Sequence, residues 1–131
     1  MNSSLLLGMM LVGAVALAGC AAGAERAGSA GVMRHVVLLK FKDDAKPDQI
    51  REVENEFRAL KTRIPSVQSL EWGTNVSPEG LSQGFTHCFF VTFADAKGRD
   101  AYLPHQAHQD FVKVLRPALD KVLVLDYVSK D

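Results

Sequence analysis

The sequence predicts an α+β domain over residues 33–131, with one antiparallel four-stranded sheet and elements ordered β-α-β-β-α-β. Three observations predict it. Residues 35–42 and 85–93 each alternate two faces at a period of two, as strands do. Apolar residues at spacings of three and four follow the first of these segments, as on one stripe of a helix. A second helical pattern precedes a final β-rich run, residues 122–128.

In the first strand, residues 35–42, His35, Val37, Leu39 and Phe41 share one face and Val36, Leu38, Lys40 and Lys42 the other. Pro47 suits a first helical position, and Asp48 sits in the first turn, where the helix dipole favours an acid. Ile50, Val53, Phe57, Leu60 and Ile64 form the helix stripe, and Pro65 stops it. Residues 67–76 read as a second strand containing Trp72-Gly73, and Ser77-Pro78-Glu79-Gly80 is loop chemistry. The third strand, residues 85–93, has Phe85, His87, Phe89, Val91 and Phe93 on one face. Thr86, Cys88, Phe90 and Thr92 lie on the other. Both faces are substantially apolar, so this strand is expected to be central and covered on both sides. Asp95 can cap a short helix running through Leu103. A longer helix is expected from near Pro104, with His108, Phe111, Val112, Leu115 and Leu119 inward and Pro117 bending or breaking it. The order of elements is the ferredoxin-like split arrangement.

Helices can cover only one face of such a sheet, yet Val36, Leu38, Cys88 and Phe90 point to the other. A symmetric second copy presenting the same surface is the simplest cover, so a homodimer is expected. Lys40 and the threonines on that face argue for the other arrangement, a partly polar face left in water. Fifteen Lys and Arg balance fifteen Asp and Glu, all at Glu25 or later. A nucleic-acid partner calls for a basic excess, and none is present.

Residues 1–19 read as a signal peptide. Residues 5–18 are an apolar and glycine stretch, shorter than the roughly 20 residues of a spanning helix. Leu17-Ala18-Gly19-Cys20 resembles the lipobox of bacterial lipoproteins. That resemblance implies cleavage before Cys20, acylation of its sulfur and new amine, and a place anchored by lipid in the bacterial cell envelope. Residues 20–32 would then be the lipidated cysteine and a flexible tether. Met1-Asn2-Ser3-Ser4 lacks the usual basic residue. A plain secretory signal, giving a soluble periplasmic or secreted protein, is the other reading. Cys88 is then a lone thiol, expected as a small buried hydrophobe, with an intermolecular bridge as the lesser option.

The four histidines invite chemistry. His35 and His87 are in the inward phase of their strands, and His108 is in register with Phe111, Val112 and Leu115. Tyr102 lies just upstream and Asp126 on the final strand. Converging His, Tyr and Asp side chains over an apolar floor suit proton transfer, because imidazole titrates near neutrality. The same residues also read as satisfied core histidines, a tyrosine anchoring a short helix and an aspartate bonding backbone. His105-x-x-His108 with His35 and His87 is a weak metal motif with no inward carboxylate to complete it, so neither a metal nor a cofactor is expected.

Arg34-His-Val-Val-Leu-Leu-Lys-Phe-Lys42, Glu71-Trp-Gly73, Gly84-Phe-Thr-His87, Asp100-Ala-Tyr-Leu-Pro-His-Gln-Ala-His108 and Leu125-Asp-Tyr127 occur in this order. Together they resemble the stress-responsive A/B barrel (Dabb) family over nearly all of residues 33–128. The resemblance implies a homodimeric α/β barrel with helices outside. One branch, plant polyketide cyclases of the olivetolic acid cyclase type, closes a linear poly-β-keto chain by aldol condensation in a pocket between sheet and helices. Its catalytic tyrosine and histidine match Tyr102 and His108, the acid supporting that histidine matches Asp126, and two further pocket histidines match His35 and His87. Gln106 stands where that branch has proline. The expectation is a lipid-anchored dimeric barrel whose pocket, lined by His35, Val37, Leu39, His87 and Phe111, binds a small apolar molecule. The alternatives are a cofactor-free cyclase- or lyase-type acid–base enzyme using Tyr102, His108 and Asp126, and a structural or interaction module.

Overall fold

The computed structural model describes residues 31–130. The signal peptide, Cys20 and the tether up to residue 30 lie outside the described residues. Seven elements follow in order: β1 (Met33–Phe41), α1 (Pro47–Arg63), β2 (Ser69–Thr74), β3 (His87–Phe93), α2 (Ala96–Tyr102), α3 (Gln106–Leu115) and β4 (Leu119–Val128). All strand pairs are antiparallel in the order β2-β3-β1-β4, so β1 and β3 are central. This is the ferredoxin-like fold. The backbones of Gly31 and Val32 bond Ser129, carrying the β1–β4 pairing past the strand ends.

Local chemistry accounts for the element bounds. In α1 the Gln49 side chain accepts from the Lys46 N–H at 3.0 Å, and Val53, Phe57 and Leu60 are buried on its inner stripe. The Asp95 carboxylate accepts from the Gly98 N–H at 3.0 Å and starts α2. α3 begins at Gln106, two residues later than Pro104, because His105 Nδ1 caps it by accepting from the Ala107 N–H at 3.1 Å. Arg116 ends α3 and Pro117 cannot continue it, so Leu119 belongs to β4 rather than to the helix. β4 therefore starts three residues before the expected Val122, and its first residues accommodate a register shift between Lys40 and Phe41. β3 starts at His87, not Phe85, since the Phe85 N–H turns back to the Ser82 carbonyl next to Gly84, whose φ is +83°. β2 is likewise shorter than residues 67–76.

Phe57 ties the layers together. Its ring stacks on Phe89 at 4.0 Å and meets Phe111 edge-on at 4.8 Å, joining α1, the sheet and α3. Cover runs out at β4, where Val122 and Val124 on the inner face stay exposed. On the outer face Val36, Leu38, Cys88 and Phe90 are half-buried, and Leu123, Leu125 and Tyr127 of β4 extend the same apolar surface.

Candidate functional site

Between α2, α3 and the β1–β4 half of the sheet lies a cavity of about 370 Å³. His35, Val37, Val122 and Val124 form its sheet side, and Tyr102, His108, Phe111 and Leu115 its helical side. β4 is an edge strand, and its inward Val122 and Val124 stay exposed beside the cavity. Its walls are apolar apart from a few converging polar groups, as small-molecule sites usually are.

Tyr102, the last residue of α2, is wholly buried. Its ring lies 4.5 Å from that of His108, 5.1 Å from Phe93 and 5.7 Å from His35. Its hydroxyl has no hydrogen-bond partner among the described residues. Burial pushes the phenol far above its ordinary value, so it stays protonated and remains a donor. His108 Nδ1 donates to the Leu103 carbonyl at 2.9 Å. A carbonyl only accepts, so Nδ1 carries the proton and Nε2 keeps a lone pair. Burial lowers the pKa of this imidazole, the backbone bond opposes that, and neighbouring His35 lowers it further. His108 is therefore neutral at physiological pH.

Asp126 was expected behind His108. It holds His35 instead. The β1–β4 register sets Asp126 directly opposite His35, whose Nδ1 donates to Asp126 Oδ1 at 2.6 Å, and the Leu103 carbonyl already occupies His108 Nδ1. The second carboxylate oxygen accepts from Arg99 of α2, whose Nε also donates to Asp100 at 2.7 Å. Burial raises the Asp126 pKa, but the bonds from His35 and Arg99 outweigh it and hold the group below the ordinary carboxylate range.

The other expected pocket residues divide. Val37 and Phe111 line the cavity with His35. Leu39 is fully buried in the core and does not line it. His87 lies at the opposite end of the inner face, where Nε2 donates to Glu54 Oε1 at 3.0 Å and Nδ1 accepts from the Thr86 hydroxyl at 2.8 Å. It borders a smaller hollow of about 260 Å³ beside Thr74 and Asn75. His105 is occupied in capping α3. Among the described residues no three His, Cys, Asp or Glu side chains form a group able to hold a metal. Arg99 is the functional candidate that sequence reasoning missed. Its signal was its place three residues before Tyr102, on the same helix face.

Residues 33–129 match the Stress Responsive A/B Barrel Domain (Dabb) family. The chain belongs to that family. A stress-response A/B barrel domain-containing protein of Arabidopsis thaliana is 39% identical to this Dabb chain over 97 residues, covering 74% of the chain and 89% of that protein. Olivetolic acid cyclase of Cannabis sativa is 32% identical over 98 residues, 75% of the Dabb chain and 97% of the cyclase. Among solved structures, hydroxynitrile lyase from Passiflora edulis superposes with a TM-score of 0.72 at 26% identity, covering 76% of the chain and 94% of the lyase. A dimeric ferredoxin-like protein of unknown function from Jannaschia sp. CCS1 superposes with a TM-score of 0.66 at 27% identity, covering 74% and 98%.

Proposed function

We propose that this Dabb domain is one subunit of a homodimeric barrel whose cavity binds a small, largely apolar molecule bearing a carbonyl oxygen. The buried Tyr102 carries the reading: it lines an apolar cavity, and its hydroxyl is a donor with no acceptor among the described residues. Leaving such a group unpaired costs about 1–3 kcal/mol, which an acceptor on a ligand would recover. A hydrocarbon ligand would leave that cost in place. Titration of 4-fluoroacetophenone and of 1-ethyl-4-fluorobenzene, followed by ¹⁹F NMR, tests this. The ketone should bind about tenfold more tightly than the hydrocarbon, equivalent to roughly 1.4 kcal/mol, and Tyr102→Phe should abolish the preference. Equal binding of both by the unaltered protein would overturn the reading.

A second reading, cofactor-free acid–base catalysis, is favoured by one observation. The His108 tautomer leaves a neutral Nε2 lone pair beside the cavity, next to a tyrosine able to donate to a developing oxyanion. Two relatives of this fold bear the names of a cyclase and a lyase. His108→Ala would then abolish turnover while leaving ketone binding measurable.

The homodimer rests on the uncovered outer sheet face and on the dimeric Jannaschia relative. Two of the charges on that face are partnered: Lys40 pairs with Asp120 at 2.9 Å, and the Arg34 guanidinium lies 5.4 Å over the Phe90 ring. Light scattering at micromolar concentration should give twice the monomer mass, and Phe90→Asp should dissociate the pair by burying an uncompensated charge. A monomeric unaltered protein would exclude the dimer. Acylation at Cys20 would anchor the domain in the cell envelope. Cys20→Ser should then leave unprocessed precursor, and equal fatty-acid labelling of both forms would refute the anchor.

A further inference from the structure

We infer that Arg99 is a positioning residue that, through Asp126, sets which nitrogen of His35 faces the cavity. The purpose of this arrangement rests on the carbonyl-site reading; its geometry does not. His35 lines the cavity and is 4% exposed, yet among the described residues only its Nδ1 has a hydrogen bond, the one to Asp126. A carboxylate accepts only, so that bond fixes the proton on Nδ1 and, in the neutral ring, makes Nε2 the acceptor. Asp126 stands on the edge strand β4, and its side chain is 27% exposed. Arg99 supplies the second hold, on Oδ2, and is itself braced by Asp100.

α2 thus carries two parts of the site at once. Tyr102 brings the unpaired donor, and Arg99, one turn earlier, fixes the acceptor that orients His35. The Tyr102 ring thus stands 5.7 Å from that of His35 and 4.5 Å from that of His108, two cavity-lining imidazoles whose Nδ1 atoms are both engaged. With Asp126 released, His35 can take the opposite tautomer and turn a donor into the cavity, which removes one of the two acceptors.

The test is long-range ¹H–¹⁵N correlation spectroscopy on the purified protein with ¹⁵N-labelled histidine. In the unaltered protein His35 should show one tautomer, protonated at Nδ1, with a far-downfield proton from its bond to Asp126. Arg99→Leu should mix the two tautomers and speed exchange of that proton about tenfold, the effect of losing one charge-assisted bond. Arg99→Lys keeps the charge without the planar fork and should restore part of the pattern. His108 serves as an internal control, because its bond to Leu103 does not involve Arg99. A wild-type His35 pattern in Arg99→Leu overturns the inference. Should Arg99→Leu fail to fold, Arg99→Lys alone decides it: tautomer mixing supports the role, and an unchanged pattern removes it. Tautomer mixing in a protein that binds no 4-fluoroacetophenone would sustain the positioning role while eliminating the carbonyl reading.

Discussion

His35 and His87 stand in the same inward phase of adjacent strands, and each meets a carboxylate from a neighbouring element. Their surroundings then diverge. His87 uses both nitrogens, on Glu54 and Thr86, its ring meets Phe41 edge-on at 5.0 Å, and Trp72 lies parallel to it. His35 uses one nitrogen and shares a cavity with Tyr102 and His108. The difference comes from the helix layer. α1 packs over the β2–β3 half, whereas β4 extends past α3 and leaves a gap. Burial alone therefore does not distinguish the two imidazoles; the nitrogen left without a partner among the described residues does.

The sharpest way to break this comparison is to truncate each ring in turn. His87→Ala should cost about 3 kcal/mol of stability, since it removes a packed aromatic ring and leaves Glu54 and Thr86 unpaired. Ketone binding should persist in that variant. His35→Ala should cost less, about 1–2 kcal/mol, because Asp126 keeps Arg99 and an existing cavity only enlarges. Ketone affinity should fall. Chemical denaturation combined with ¹⁹F titration reads both quantities. A reversed order of costs, or ketone binding lost only with His87, would dissolve the distinction between the two halves.

A smaller effect follows from pH. Burial holds His108 below its ordinary value, so from about pH 6.5 down to that lowered value the unfolded chain binds a proton that the folded chain does not. Stability should therefore fall as the pH drops through this window. His108→Gln should flatten that part of the profile relative to the unaltered protein, as measured by denaturation midpoints from pH 8 to pH 5. An unchanged slope would mean that His108 titrates freely.

The strand alternation at residues 35–41 and 87–93 and the three-four stripe of α1 were legible because each expresses a single face meeting a single layer. The start of β4 was not. Leu119-Asp120-Lys121 lacks an apolar run, and only pairing with β1 makes it a strand. The site was legible as a set of residue types and illegible as a network. Tyr102, His108, His35, Val37 and Phe111 do converge on one cavity. The partner of Asp126 depends on the β1–β4 register, which alternation alone does not specify, and pairing with His35 rather than His108 follows from that register. His87 and Leu39 share the strand phase of the cavity residues, but phase gives a face of the sheet and not a position along it. Glu54 and Arg99, which decide the fates of His87 and His35, sit on helices whose placement over the sheet is a tertiary property.

In the proposed function, Tyr102 is kept for a ligand at a cost to the empty protein. Thermal melting of Tyr102→Phe, with and without saturating 4-fluoroacetophenone, tests it most directly. The ligand-free variant should melt above the temperature of the unaltered protein, by about 1–3 kcal/mol of added stability, because the unpaired hydroxyl is gone. The stabilisation by ketone should shrink. A variant that melts several degrees lower, with its response to ketone unchanged, would contradict the account and make Tyr102 a core residue.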